Sequence, residues 1–134
     1  MIVDDHQVVL DHWKELLERN SRFQVVAVAR DSIIAMNKYE KFLPDVLLVD
    51  VKMGPINGFE LTKRLVEKHP AIRIIGISVS NQANYAHKMM ANGAKGYLTK
   101  TSTLEEINHA IEEVFDGKNY LCDEIRKMDI GNRF

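Results

Sequence analysis

Five polar side chains stand directly behind apolar runs, and their types are complementary. Asp4 and Asp5 follow Ile2-Val3, Asp50 follows Val46-Leu47-Leu48-Val49, Ser78 closes the run through Ile74, Ile75 and Ile77, and Lys100 ends Gly96-Tyr97-Leu98-Thr99. Three carboxylates gathered in one crevice repel, because two like charges about 4 Å apart cost about 4 kcal/mol at an effective dielectric of about 20. A hard divalent cation with oxygen ligands offsets that repulsion. Mg2+ suits the donor set, since it takes one or two carboxylates, some waters and a phosphoryl oxygen rather than a full protein cage. Lys100 adds a fixed positive charge and Ser78 a hydroxyl donor. These groups fit phosphoryl transfer to a carboxylate, with Asp50 as acceptor because it stands alone on its strand. Taken singly, each residue has a plainer role: an Asp-Asp pair or a Ser after a strand caps a helix, and a Lys at a strand end is solvated. Capping does not require acidic, acidic, hydroxyl and basic groups at the ends of four separate strands.

Those strands must end on one edge of one sheet, and the periodicity of the chain supplies the frame. After the short strand at Met1–Val3, Val9, Leu10, Trp13, Leu16 and Leu17 recur at helical spacing from Gln7 to Arg19. Phe23–Ala29 is rich in Val and predicts a strand. Asp31 or Ser32 predicts the N-cap of a helix through Phe42 that Pro44 closes. The strand from Asp45 to Val51 leads through a Gly/Pro loop to a helix carrying Phe59, Leu61, Leu65 and Val66, closed by Pro70. Ile72–Val79 is a fourth strand, Asn81 or Asn84 opens a helix through Met90, and Asn92-Gly93 is a C-cap signal. Gly96–Lys100 is a fifth strand. Thr103 with Glu106 reads as a capping box for a last helix that stops at Gly117.

Five strands alternating with five helices predict a doubly wound α/β domain: a five-stranded parallel sheet in the order 2-1-3-4-5 with helices on both faces. That order sets Asp4 and Asp5 beside Asp50. From Cys122 onward, CDEIRKMDIGNRF loses clear periodicity and reads as a short helix start or a linker stub.

Length and composition narrow the function classes. The chain has 134 residues, 18 basic and 19 acidic, for a formal net charge of −1, so bulk charge attracts neither nucleic acid nor anionic membrane. The single Cys122 excludes an intramolecular disulfide, and no apolar stretch approaches the roughly 20 residues of a membrane span. An intracellular, cytoplasmic protein is the expectation. Neither G-x-G-x-x-G nor G-x-x-x-x-G-K is present. The five His residues lack zinc-site spacing, although His6 is placed to line the crevice.

Together, VDDHQVV, LLVDVKM, GISVSN and GAKGYLTK resemble the receiver domain of two-component response regulators, and VDDH with SVSN resembles the subfamily whose receivers precede a LuxR/NarL-type helix-turn-helix. The match runs from Ile2 to about Leu121, implying a flavodoxin-like receiver over residues 1–121 and a C-terminal tail or linker stub over 122–134. By this resemblance Asp50 is the phosphoacceptor, Asp5 a direct Mg2+ ligand, Asp4 its partner through water, and the backbone carbonyl of Lys52 a further ligand. Ser78 matches the switch hydroxyl, Tyr97 the switch aromatic and Lys100 the phosphate-binding Lys. The implied partner is a sensor histidine kinase. The receiver would assist its own phosphorylation and slow dephosphorylation without being an enzyme in the ordinary sense, would pair with a second copy on phosphorylation, and would reach DNA only through an output domain outside these residues. Two positions depart from the family pattern. Gly54 intervenes between Met53 and Pro55, which predicts a differently shaped loop beyond Asp50, and Thr101 follows Lys100 where many receivers have Pro. The competing readings are an interaction module that ignores phosphate, and an aspartyl-phosphate phosphatase, against which Lys52 stands where a second Asp would be needed.

Overall fold

The chain folds in a computed structural model that describes residues 1–133, with side chains described through 128. Its strands are β1 (Ile2–Val3), β2 (Val28–Ala29), β3 (Leu47–Asp50), β4 (Ile74–Ser78), β5 (Gly96–Thr99) and β6 (Tyr120–Leu121). Its helices are α1 (Gln7–Glu18), α2 (Ser32–Phe42), α3 (Gly58–Lys68), α4 (Ala83–Ala91), α5 (Leu104–Phe115) and α6 (Asp123–Arg133). Every strand pairing is parallel, in the order β2-β1-β3-β4-β5-β6. Helix α1 packs beside α5, while α2, α3 and α4 follow one another in contact, so the sheet is covered on both faces.

The apolar runs end up where a parallel sheet needs them. Leu47, Val49, Ile74, Ile75 and Leu98 are fully buried, and Leu10, Leu61, Met89 and Ile107 pack onto the sheet from the helices. Such double-sided burial is why these strands read as continuous apolar stretches and not as alternating ones.

Local signals explain the starts of three helices. Asp31 Oδ1 accepts from the Ile34 amide at 2.8 Å, Asn57 Oδ1 from Glu60 at 3.0 Å and Thr103 Oγ1 from Glu106 at 3.1 Å. Helix α2 ends on Leu43 at φ 45°, ψ 57°, a left-handed conformation that a branched side chain adopts at a cost. Leu43 is exposed and contributes nothing to the core. Leu43→Asn is therefore expected to raise stability by about 0.5–1 kcal/mol, measured as a higher urea midpoint, because Asn tolerates this conformation better.

Three expectations need correction. The sheet has six strands, not five: Tyr120 and Leu121 pair with Gly96 and Tyr97 along the outer side of β5. Two residues are too few for a periodicity to register. Of the two readings of the segment from Cys122, helix start or linker stub, the helix is what forms: it is α6, and Cys122 and Ile125 at its start are fully buried. The second strand forms a ladder only at Val28–Ala29, because its partner β1 spans two residues. Helix α4 starts at Ala83 with Gln82 at the N-cap and no side-chain capping bond; Asn84 lies inside the first turn, and Asn81 bonds elsewhere.

The loop beyond Asp50 contains a cis Gly54–Pro55 bond, the sole cis peptide among the described residues, and it is tied down by Ser32 Oγ donating to the Ile56 carbonyl at 2.9 Å. The Lys100–Thr101 bond is trans.

Candidate functional site: an acidic crevice at the carboxyl edge of the sheet

Parallel pairing brings the ends of β1, β3, β4 and β5 to one edge. Asp50 is in register with Ile77, and Ser78 with Thr99, so the polar residues that close neighbouring strands form a row. A crevice at the carboxyl ends of such strands, where the strand order reverses between β1 and β3, is where open α/β sheets hold ligands.

Asp4 and Asp50 are almost fully buried, at 2% and 3% exposure. Lys100 Nζ lies 3.1 Å from Asp4 Oδ2 and 3.8 Å from Asp50 Oδ1, one ammonium between two buried carboxylates. Asp4 Oδ1 also accepts from the His6 amide at 2.9 Å, and Asp50 Oδ1 accepts weakly from the Lys52 amide at 3.3 Å. Burial pushes the Asp50 carboxyl up to about 6, with the negative charge of Asp4 adding to it and Lys100 opposing it. The Asp50 carboxylate is thus held in a state that a cation would relieve.

Ligand atoms of Asp4, Asp5, His6 and Asp50 all lie within 4.8 Å of one another. Asp5 Oδ1 is buried and receives no hydrogen bond; the His6 ring nitrogen 2.9 Å away is near enough for an ion pair but not aligned to donate. A buried, unsatisfied carboxylate oxygen among further carboxylates is what a hard divalent ion would complete. The residues present fit Mg2+. His6 is largely exposed and stands at the rim.

The neighbouring strands supply the hydroxyl and the aromatic ring. Ser78 is buried, and its Oγ accepts from the Ser80 amide at 3.1 Å. Tyr97 is fully buried, and its hydroxyl donates to the Ser80 carbonyl at 3.0 Å. Burial raises the Tyr97 phenol to about 12, so it remains a donor at any working pH. Gly76, beside this ring, makes room for Met89: a Cβ there would lie 2.7 Å from the Met89 methyl, but at an ordinary 3.4 Å from Tyr97 Cδ2. Ser80 therefore links the strand-end hydroxyl to the buried ring through its two backbone groups.

Asp4, Asp5, Asp50 and Lys100 are brought together, with Ser78 and Tyr97 on the adjoining strands. Lys52 is placed beside the crevice by its backbone N–H donating to Asp50 Oδ1, while its ammonium extends away over the Tyr85 ring at 5.3 Å. Two contributors escaped the sequence reading. Gly58 starts α3 against the backbone of Asp50 and Val51, its amide donating to the Val51 carbonyl at 2.9 Å. Glu124, on α6, accepts from groups on both loops that flank the site. No spacing rule marks Glu124, because its partners are supplied by elements distant in sequence.

A doubly wound parallel sheet with an Asp-Asp pair, an Asp, a Ser and a Lys at successive strand ends defines the receiver class. The chain belongs to the response regulator receiver domain family, whose sequence pattern it matches over residues 1–112. It is 34% identical over 128 residues to the response regulator GacA of Pseudomonas aeruginosa, covering 96% of this chain and 60% of that protein. It is 32% identical over 125 residues to the transcriptional regulatory protein DegU of Brevibacillus brevis, covering 93% of this chain and 53% of that one. The chain thus spans little more than half the length of these relatives. Among solved structures, a LuxR-family two-component response regulator from Aurantimonas sp. superposes with a TM-score of 0.95 at 31% identity, covering 99% of this chain and 95% of that one. The isolated receiver domain of RcsB from Salmonella enterica, solved with the phosphoryl mimic BeF3−, shares the fold at a TM-score of 0.85 and 23% identity, covering 94% of each chain. Among the described residues no helix is long and apolar enough to cross a membrane.

Proposed function

We propose that this receiver accepts a phosphoryl group on Asp50 from a sensor histidine kinase, with Mg2+ held at Asp4, Asp5, Asp50 and the backbone carbonyl of Lys52. The observation that carries the reading is the buried Asp4–Lys100–Asp50 arrangement beside the unsatisfied Asp5 oxygen. Mg2+, when bound, would neutralise charge that builds on the phosphoryl oxygens. Asp50 is the nucleophile: its carboxylate oxygen forms the bond to phosphorus as the bond to the donor's leaving group breaks. Lys100 already faces Asp50 and would pair with a phosphoryl oxygen.

Phosphorylated Asp50 would carry a total charge of about −1.5 to −2 in place of the carboxylate's single charge, and new acceptor oxygens. Ser78 Oγ would turn from the Ser80 amide to donate to them, and the segment carrying Ser80 would follow, disturbing its bond to Tyr97. A buried ring whose partner sits on a loop that moves with Ser78 is an element that phosphorylation can bias. The output is expected to be transcriptional, through a DNA-binding domain outside these residues, in keeping with the LuxR-family neighbour and a relative described as a transcriptional regulator. The protein would act in the cytoplasm, and a homodimer on phosphorylation belongs to the same proposal.

Incubation with a small acyl phosphate and Mg2+ is expected to add one phosphoryl mass to the intact protein, and chelation of the metal to abolish the addition. Unchanged mass with the metal present would contradict the reading.

A further inference from the structure

We propose that Glu124 latches α6 across the two loops that carry the switch residues, and that phosphorylation of Asp50 opens this latch. The inference rests on the phosphoacceptor reading for its trigger, but the latch itself is visible in the hydrogen bonds. Glu124 Oε1 accepts from Asn81 Nδ2 at 3.0 Å, and Glu124 Oε2 accepts from Thr99 Oγ1 at 3.1 Å and from Thr101 Oγ1 at 3.4 Å. Asn81 lies three residues beyond Ser78, and Thr101 directly follows Lys100. One carboxylate on α6 is thereby bonded to the loop after β4, to the end of β5 and to the loop after β5.

Helix α6 packs against α4, the helix that follows the Asn81 loop. Its described residues are mostly exposed and polar, and Ile125 is the sole apolar side chain among them that is fully buried. Thr99 is buried at 2% exposure and its hydroxyl depends on Glu124 and the adjoining Thr101 and Ser102 hydroxyls for partners. At this same N-terminal end, one residue before Glu124, α6 is pinned by Glu106, whose Oε2 accepts from the Asp123 amide at 2.8 Å and from Tyr120 Oη at 2.9 Å. The Cys122 amide donates to the Tyr97 carbonyl at 3.0 Å, joining the root of α6 to the strand that bears the switch ring.

The coupling follows from shared backbone. Ser78 closes β4 and Ser80 and Asn81 lie in the short loop that follows it, where Ser78 Oγ accepts from the Ser80 amide and the Ser80 carbonyl accepts from Tyr97. Drawing Ser78 toward a phosphoryl group on Asp50 displaces this loop, and the Asn81 amide cannot follow it while remaining on Glu124. Without Asn81, Glu124 keeps only hydroxyl partners on the β5 side, and α6 opens about the Glu106 pin. Two discrete arrangements of α6, biased by the chemical state of Asp50, give the free-energy coupling the device requires.

Cys122 is the single cysteine, is fully buried at the root of α6, and reports the opening directly. The test measures its reaction rate with N-ethylmaleimide in the native full chain, while the fluorescence of the single buried Trp13, on α1, monitors the rest of the fold. Wild type without phosphate is expected to react slowly, and the phosphorylated protein at least ten times faster. Glu124→Ala should reach that faster rate without phosphate and gain little more from it, with Trp13 emission unchanged. Asn81→Ala, at an exposed loop position, should give a smaller rise in the same direction, again with Trp13 emission unchanged. A wild-type rate unchanged while intact mass shows full phosphorylation overturns the trigger, and Glu124→Ala and Asn81→Ala both labelling as slowly as wild type overturn the latch. Absence of the phosphoryl mass overturns the functional reading and the trigger with it, while the two variants still decide the latch.

Discussion

Asp50→Asn is expected to stabilise the metal-free protein at neutral pH by about 2 kcal/mol while removing the phosphoacceptor. In the folded chain the Asp50 carboxyl is pushed up to about 6 from 3.8, through burial first and the charge of Asp4 second. Such a shift of about two units corresponds to a ceiling of about 3 kcal/mol against the ionised form. The gain is smaller than this because Lys100 loses one of its two carboxylate partners and the new amide must still find hydrogen bonds in a buried site. The pH dependence has a definite sign. The folded state holds the Asp50 proton to higher pH than the unfolded state, so between about pH 4 and pH 6 the native protein binds more protons and stability falls as pH rises; above about pH 6 this contribution is flat. Urea unfolding at a series of pH values, without metal, should find this slope in wild type and its loss in Asp50→Asn. Mg2+ should narrow the gap between the two proteins, since a ligand that favours the native carboxylate stabilises wild type more. Equal stability of the two proteins at every pH would contradict the electrostatic account of the crevice.

Gly58→Ala should have an effect of similar size and opposite sign. Alanine inside a helix is ordinarily favoured over glycine by about 0.5–1 kcal/mol. At Gly58, however, the added Cβ would lie 2.4 Å from the Asp50 carbonyl oxygen and 2.7 Å from Val51 Cα. Those are backbone atoms of the strand that carries the acceptor, and they cannot yield as a flexible side chain does. The clash should dominate, with a net loss of about 3 kcal/mol, the upper range for overpacking. A lowered urea midpoint with an unchanged slope is the expected readout. A midpoint at or above wild type would contradict the close approach of the α3 N-terminus to the Asp50 backbone. Because relief of the clash must move α3 or Asp50, any protein that remains folded should also take up phosphate more slowly.

Much of this architecture is written in local patterns. Val46–Val49 and Ile74–Ile77 read as buried parallel strands because both of their faces are covered, and the helical faces around Leu10, Leu61 and Ile107 follow from spacing alone. Asp31 and Thr103 cap the helices that their positions predict. The gathering of Asp4, Asp5, Asp50 and Lys100 follows from strand order, since each is the polar residue that closes its strand.

What escaped the sequence depends on tertiary contacts. The Thr103–Glu106 box is half formed: Thr103 caps α5, but the Glu106 carboxylate serves Tyr120 and the Asp123 amide instead of the start of its own helix. The demand for it there comes from β6 and α6, which carry no periodic signal of their own. Asn81 similarly reads as an N-cap and is diverted to Glu124. Gly58 reads as a loop residue next to Asn57, and only the close approach of α3 to the Asp50 backbone reveals why a side chain is excluded.

The central claim, that Asp50 is the phosphoacceptor of a Mg2+-dependent receiver, is tested most directly by locating the modification. Protein phosphorylated with a small acyl phosphate and Mg2+, reduced with borohydride to trap the acyl phosphate and then digested, should carry the reduced residue at Asp50 and nowhere else. A label on Asp4, Asp5 or His6, or an unmodified Asp50 peptide from protein whose intact mass includes a phosphoryl group, would contradict it.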